Sequence, residues 1–382
     1  MNIGFEAKRA YTNGTGLGHY SRTLISSLAA YYPGHEYFLF TPKHTNRFNA
    51  LNFANVHEVI PSRFPGNIFT SAWRSSWVKK DLRLLDINLY HGLSHEIPMG
   101  IAQTGIPSVV TMHDLIFERY PNQYKPLDVL IYRNKFKYAC KNASRIIAIS
   151  KQTRDDLVQF YQVDEKKIDI CYQSCNPAFG EQQTATQLQQ VKMRYNLPDK
   201  FFLYVGSVIE RKNLLLICQA LRAQPSITIP LVVIGDGGAY KQQVQQYIKD
   251  NGLTGRVIFL SDKTSAQLPG YQSAADFPAI YQQALCMIYP SVFEGFGIPV
   301  LEALWSGLPV ITSNVSCLPE AGGDAALYID PHSVSEMAAA LTDVAGNSAL
   351  RDTMIERGYR HAQRFSQQQC AEAVMQTYLR TV

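Results

Sequence analysis

Short apolar runs alternate with longer amphipathic stretches along the whole chain. In the first half the runs fall at residues 3–7, 37–40, 56–60, 89–91, 108–111, 145–149 and 168–171. In the second half they fall at 201–206, 231–235, 257–260, 287–289, 310–312 and 326–329. Between them, residues 19–30, 73–85, 129–141, 151–161, 214–223, 240–251, 279–284 and 300–306 carry helical periodicity. A run of continuous apolar residues followed by a helical pattern is the signature of a strand buried on both faces in a parallel sheet. The βα alternation occurs twice, which predicts two doubly wound α/β domains. The first break falls near Asn176-Pro177, giving domains at 1–178 and 179–362. Residues 181–190 are polar and Gln-rich, fit to connect the domains or to open the second one. The end of the chain, from residue 335, reads as helical throughout. It is longer than one domain face needs, so residues 363–382 are expected to cross back onto the first domain.

Length and composition agree with this division. The chain has 382 residues, 46% hydrophobic and 18% charged, enough for two packed cores. The net charge of +5 is uneven. Residues 1–178 hold 21 Lys+Arg against 14 Asp+Glu, so the basic excess lies in the first half. That balance fits contact with an anionic membrane surface, or simply a solvated face, and nothing in it suggests nucleic acid. The seven cysteines form no CxxC pair or metal-ligand spacing, as expected for reduced thiols in a cytoplasmic protein. No apolar run is long enough to span a bilayer. The aromatic and basic stretch Trp73-Arg-Ser-Ser-Trp77-Val-Lys-Lys80 fits a half-buried helix or a site touching lipid headgroups.

Open α/β sheets bind ligands at the carboxyl ends of their strands, so residues just after strands are the candidates. The most specific string is Glu294-Gly-Phe-Gly-Ile-Pro-Val-Leu-Glu302, which follows one strand and runs into a helix. Gly295 and Gly297 let the backbone approach a ligand, and the helix start offers N–H groups to a diphosphate. Glu294 and Glu302 suit hydroxyl groups, which donate to ionised carboxylates. Arg211-Lys212, after the strand ending near Gly206-Ser207, can neutralise the charge that grows on a departing diphosphate. Taken alone, such a pair is ordinarily a solvated surface feature. Asn13-Gly14-Thr-Gly16-Leu17-Gly18-His19 is a glycine-rich turn between the first strand and its helix, without the GxGxxG spacing of a dinucleotide site. His113-Asp114 follows another strand, and so do His91 and His95, which are candidates to face an acceptor. Gly235-Asp-Gly237 is placed to shape a base pocket.

The Glu294–Glu302 string resembles the E-x7-E motif of glycosyltransferase family 4. The segments around Arg211-Lys212, Gly307-Leu-Pro-Val-Ile and Leu318-Pro-Glu320 are similar to that family as well, in order along essentially the whole chain. The resemblance implies the GT-B fold, two Rossmann-like domains facing a cleft, and a retaining, metal-independent hexosyltransferase. It assigns Glu294 to the transferred sugar, Glu302 to the ribose, and Arg211 and Lys212 to the donor phosphates. Gly295, Phe296 and Gly297 would line the sugar pocket, with Ile298, Ser207 and Gly235 also binding the donor and the Gly16-Leu17-Gly18 loop reaching it. His113 would position the sugar, with Asp114 in support. The chain contains no Asp-x-Asp, the pair with which metal-dependent sugar transferases hold a divalent ion, so no metal is expected. The implied donor is a nucleotide sugar, GDP-mannose first and a UDP-sugar second. The implied acceptor is a glycan or lipid-linked oligosaccharide, met in the cytoplasm or peripherally at the membrane. A sugar-nucleotide epimerase and a non-catalytic nucleotide-sugar-binding protein remain as alternatives. The first lacks a need for the Arg-Lys pair, and the second would show no turnover. Residues 263–275 depart from the compact family pattern.

Overall fold

The computed structural model describes residues 1–62 and 66–382. Its chain divides into two units. Unit 1 comprises residues 1–175 with 365–382, and unit 2 comprises residues 176–364.

Unit 1 is built on a seven-stranded parallel sheet. Its strands are β1 (Asn2–Glu6), β2 (Glu36–Phe40), β3 (Val56–Val59), β4 (Leu89–Gly92), β5 (Ser108–Met112), β6 (Arg145–Ala148) and β7 (Ile168–Ile170), in the order β3-β2-β1-β4-β5-β6-β7. Unit 2 has six parallel strands, β8 (Phe202–Val205), β9 (Leu231–Ile234), β10 (Val257–Phe259), β11 (Cys286–Tyr289), β12 (Val310–Ser313) and β13 (Ala326–Ile329), in the order β10-β9-β8-β11-β12-β13. All thirteen apolar runs of the sequence are strands, within one or two residues at each end.

The two orders share one logic. Each sheet grows outward in one direction from its first strand, then returns and grows in the other. The strand order therefore reverses between β1 and β4 in unit 1, and between β8 and β11 in unit 2. At such a reversal the connections leave to opposite sides and open a crevice beyond the carboxyl ends of the strands.

Burial follows from the strand sequences. Leu231–Ile234 and Cys286–Tyr289 are buried at every position, as strands covered on both faces must be. In unit 1 one face of the sheet packs on Leu24, Ile25 and Leu28 of the Gly16–Tyr31 helix and on Ala371, Val374, Met375 and Tyr378 of the Gln367–Leu379 helix. The opposite face packs on Leu82, Phe136 and Leu157. The chain's last helix thus completes the core of the first unit. Its Tyr378 hydroxyl is hydrogen-bonded to Nδ1 of His91 at 2.6 Å, inside that core.

Three local features differ from the sequence reading. The glycine turn does not follow β1 directly, because a short helix, Lys8–Thr12, stands between them. Residues 335–382 are not one helical stretch. Asn347 and Ser366 each accept a bond from a backbone N–H of the following helix and divide the region into Val334–Gly346, Ser348–Ala362 and Gln367–Leu379. Trp73–Trp77 is a π-helical turn, with Trp73 buried and its indole N–H donating to Asp81 at 2.6 Å. The polar segment near residue 185 opens unit 2 as the Ala185–Tyr195 helix, started by a reciprocal Thr184–Gln187 capping box.

Candidate active site

In unit 2 the residues singled out by the sequence gather at the crevice between β8 and β11. After β8, Gly206 has φ 148° and Gly235, after the neighbouring β9, has φ 151°. A Cβ on Gly235 would lie 1.9 Å from the Gly206 carbonyl oxygen, so only glycine lets these two strand ends run so close. The chain then passes the exposed Ser207 and forms a single turn, Glu210–Lys212, that ends on Asn213 in the left-handed region. Asn213 anchors the turn by donating to the carbonyls of Pro290 (3.3 Å) and Pro331 (2.7 Å). This places Arg211 and Lys212 beside the segment that follows β11.

That segment carries Glu294, which is buried. One carboxylate oxygen, Oε1, receives the Tyr289 hydroxyl at 3.0 Å and the Ser291 hydroxyl at 2.9 Å. The Arg211 guanidinium lies 2.9 Å and the Lys212 ammonium 3.5 Å from the same oxygen. Lys212 also donates to the Tyr289 hydroxyl at 2.7 Å, and Arg211 donates to the Phe293 carbonyl. Backbone bonds fix the segment. The Glu294 N–H donates to the Ser316 hydroxyl at 3.2 Å, and the Cys317 thiol donates to the Glu294 carbonyl at 3.0 Å. Burial alone would raise the Glu294 pKa. The two cations and the two hydroxyl donors outweigh it and hold the carboxyl below its ordinary value. Two cations face one carboxylate here, so the cluster keeps an excess positive charge, which suits an anion.

Gly295, Phe296 and Gly297 follow, all buried, and Gly297 has φ 101°. A Cβ at Gly297 would come 2.9 Å from Leu318 Cδ2. Gly297 opens the Ile298–Trp305 helix, with Pro299 in its first turn. Arg211 and Lys212 are thus bonded to the residues that lead into this helix start. Glu302, on the same helix, is half-buried and accepts from the Tyr281 hydroxyl at 2.8 Å. Burial raises its pKa to about 7, against smaller opposing effects of Tyr281 and Lys212. Beside Gly235, Asp236 pairs with Lys241 at 2.8 Å, and Lys241 also pairs with Asp262. Tyr289, Ser291 and Ser316 were not singled out in the sequence. Tyr289 and Ser291 could have been found, because one ends the strand and the other lies between it and Glu294. Ser316 could not, because its part depends on β12 lying next to β11.

Unit 1 holds the remaining candidates. His113 follows β5 and is buried, and its Nε2 donates to the Leu93 carbonyl at 2.9 Å. That bond fixes the tautomer, so Nδ1 is the acceptor for the Gln173 amide at 3.3 Å. Burial lowers its pKa to about 4, and the ring is neutral. Asp114 Oδ1 accepts from the Ile116 N–H at 3.1 Å, two residues on, just before the Ile116–Arg119 turn. His91 and His95 both turn inward. His91 bonds Tyr378 and Thr111, and burial brings its pKa to about 3. His95 Nε2 accepts the His113 N–H at 2.9 Å. Gly16 and Leu17 open the Gly16–Tyr31 helix, with Gly16 exposed and free of neighbours on its Cβ side. A Cβ on Gly18 would instead meet the Asn13 carbonyl oxygen at 2.0 Å. Asn13 Oδ1 accepts from the Thr15 and Gly18 N–H groups at 2.8 and 3.2 Å, which ties the turn.

Comparison with known families decides what chemistry this scaffold belongs to. Residues 14–179 match the family described as Glycosyltransferase Family 4, and residues 187–361 match Glycosyl transferases group 1. The chain is a glycosyltransferase of this family. Among its curated relatives is the O-antigen chain mannosyltransferase B of Escherichia coli, 28% identical over 310 residues, covering 80% of this chain and 77% of the relative. Another is the O-antigen chain mannosyltransferase RfbU of Salmonella typhimurium, 26% identical over 343 residues, covering 87% and 88%. Among solved structures, a glycosyltransferase from Rickettsia africae aligns with TM-score 0.74 at 14% identity, over 100% of this chain and 98% of that one. HepE from Anabaena, solved in complex with UDP-glucose, aligns with TM-score 0.74 at 16% identity over 100% of both chains. The glycosyltransferase described here therefore has the GT-B fold, two Rossmann-like domains with parallel sheets.

Proposed function

We propose that this glycosyltransferase takes a hexose from a nucleotide-diphosphate donor bound by unit 2 and passes it, with retention of anomeric configuration, to a glycan or lipid-linked glycan bound by unit 1. The observation that carries the reading is the buried cluster of Arg211, Lys212, Tyr289, Ser291 and Glu294 at the crevice of unit 2. Its excess positive charge suits the donor diphosphate. Tyr289 and Ser291 both donate to Oε1 of Glu294, and the carboxylate would accept from the sugar hydroxyls through Oε2. Glu302 would accept from the ribose, and the strand ends at Ser207 and Gly235 would face the base. Gly295, Phe296, Gly297 and Ile298 would line the sugar. The Gly16-Leu17-Gly18 turn, His113 and Asp114 would serve the sugar from unit 1, with His113 acting as a neutral, fixed ring rather than as a proton carrier.

In the reaction the bond from the anomeric carbon to the diphosphate breaks, and a bond from the acceptor oxygen to that carbon forms on the same face. The proton of the acceptor hydroxyl leaves with the diphosphate. Arg211 and Lys212 stabilise the charge that grows on the leaving group, and they act most strongly where water is excluded. No resident metal is part of this proposal.

The names of the O-antigen relatives favour mannose, and hence GDP-mannose, as the donor. The UDP-glucose in HepE keeps a UDP-sugar as the second reading. Exposed Phe69, Trp77 and Leu84 lie near exposed Lys80 and Arg83 on unit 1, which supports peripheral contact with an anionic membrane. Sedimentation with phosphatidylglycerol vesicles tests that contact, and equal recovery with neutral vesicles would count against it. The transfer reading is tested by incubating the enzyme with labelled GDP-mannose or UDP-glucose and membranes bearing lipid-linked glycan. One donor should give a glycan product whose new linkage keeps the donor's anomeric configuration. Epimerised donor without an extended glycan, or an inverted linkage, would overturn it.

A further inference from the structure

The strand order reverses in unit 1 as it does in unit 2, and the crevice there is also lined. A cavity of about 340 Å³ opens beyond the carboxyl ends of β1 and β4. Glu6, the last residue of β1, and Tyr90 of β4 line it. Arg74 of the π-helical turn, Glu96, Lys135 and Tyr138 line it as well. We propose that this cavity binds one neutral sugar unit of the acceptor, with Glu6, Arg74 and Glu96 meeting its hydroxyls and Tyr90, Tyr138 and Met99 meeting its apolar faces.

The charges decide against an anionic occupant. Arg74 Nη1 stands 2.7 Å from Glu96 and 3.4 Å from Glu6, and Lys135 Nζ stands 2.7 Å from the other oxygen of Glu96. Two cations and two carboxylates cancel, and both cations are already paired. In unit 2, by contrast, two cations face a single buried carboxylate. A phosphate would find an excess of positive charge there and none here. What the unit 1 cavity offers is a set of fixed acceptors and donors beside aromatic and aliphatic surface. A pyranose has the matching chemistry, hydroxyls around its rim and C–H groups on its faces.

Glu6 is the most deeply buried charge of the four. It is 3% exposed, and burial raises its pKa while Arg74 works in the opposite direction. Such a carboxyl is costly to bury unless it is well bonded; Arg74 reaches it only at 3.4 Å, and the cavity is where ligand hydroxyls would add to that contact. The π-helical turn has a reason in the same place. The Ser75 carbonyl accepts the Met99 N–H at 2.7 Å, which fastens the turn to the loop after β4 and holds Arg74 between the two glutamates.

The proposal rests on the transferase reading, because it makes the occupant part of the acceptor. Its test is therefore separated from donor binding. Saturation-transfer NMR is run with methyl α-mannoside, methyl α-glucoside and methyl α-galactoside on the full chain, on Met99→Trp and on Asn134→Trp. Both variants fill the cavity from its exposed rim. GDP- and UDP-induced shifts in melting temperature are recorded on the same samples. At least one glycoside should receive saturation from the wild type and none from the filled variants, with the nucleotide shifts unchanged. Glu96→Gln should weaken the bound glycoside roughly tenfold, the loss of one charge-assisted bond. If one filled variant fails to fold, the other carries the comparison. The proposal is overturned if no glycoside binds the wild type, if binding survives in a folded filled variant, or if inorganic phosphate displaces the glycoside. If neither nucleotide shifts the wild type while the glycoside behaves as stated, the donor reading fails and the cavity stands.

Discussion

Glu294 and Glu302 belong to one string of sequence, yet the fold gives them opposite electrostatics. Glu294 meets two cations and two hydroxyl donors and stays ionised. Glu302 meets one tyrosine in a buried setting and titrates near 7. The sign of its effect on stability follows. Its folded pKa lies above the ordinary carboxyl value of 4.5, so the folded state holds this proton more tightly than the unfolded chain does. The associated stability is complete below pH 4.5 and is lost as pH rises to about 7. Glu302→Gln removes the titration. The unfolding free energy of this variant relative to wild type should therefore rise by up to about 3 kcal/mol between pH 4.5 and 7.5. Urea unfolding across that range checks it, and parallel pH profiles would show that the fold does not raise the Glu302 pKa. The sequence made both glutamates visible through their spacing and the family resemblance. It could not reveal their different states, which depend on Tyr281, Tyr289 and Arg211 arriving from other elements. Glu6 was invisible for a related reason. One acidic residue at a strand end has no motif, and its meaning comes from Arg74 and Glu96 folding over it.

At the scale of elements, the strands were legible because each is a continuous apolar run between turn-forming segments. The Lys8–Thr12 helix was not, because five residues with two charges show no period. In the glycine turn after it, two glycines differ in what a Cβ would meet. Gly18 is needed for fit, since a Cβ there would meet the Asn13 carbonyl oxygen at 2.0 Å. Gly16 has no neighbour within 4 Å on that side. Gly18→Ala should lower stability by more than about 1 kcal/mol and lower activity with it. Gly16→Ala should leave the melting temperature unchanged or slightly higher, since alanine favours the first helical turn, while transfer falls if the turn touches the donor. Thermal unfolding with turnover on the same samples checks both. Full activity in Gly16→Ala would remove this residue from the donor site.

For the whole molecule, each unit is a complete doubly wound sheet, and unit 1 needs residues from the far end of the chain to be so. Tyr378 is fully buried and its hydroxyl bonds His91. Tyr378→Phe leaves the buried His91 ring nitrogen without this partner. It should cost about 1–3 kcal/mol, read as a lower urea midpoint, without changing donor affinity. The return of the last helix was legible only as surplus length, and its docking on the Gly16–Tyr31 helix is a matter of packing that no motif records. The shared strand order is the larger regularity. It puts a charged cluster at the reversal point of each sheet, with excess positive charge in unit 2 and balanced charge in unit 1.

Calorimetric titration of GDP and UDP into the wild type and Lys212→Ala tests the central claim most directly. Lys212 should add about 1.5–3 kcal/mol to diphosphate binding. The account thus predicts that the preferred nucleoside diphosphate binds the variant at least tenfold more weakly, while the corresponding nucleoside binds both proteins alike. Equal diphosphate affinities for the two folded proteins would contradict it.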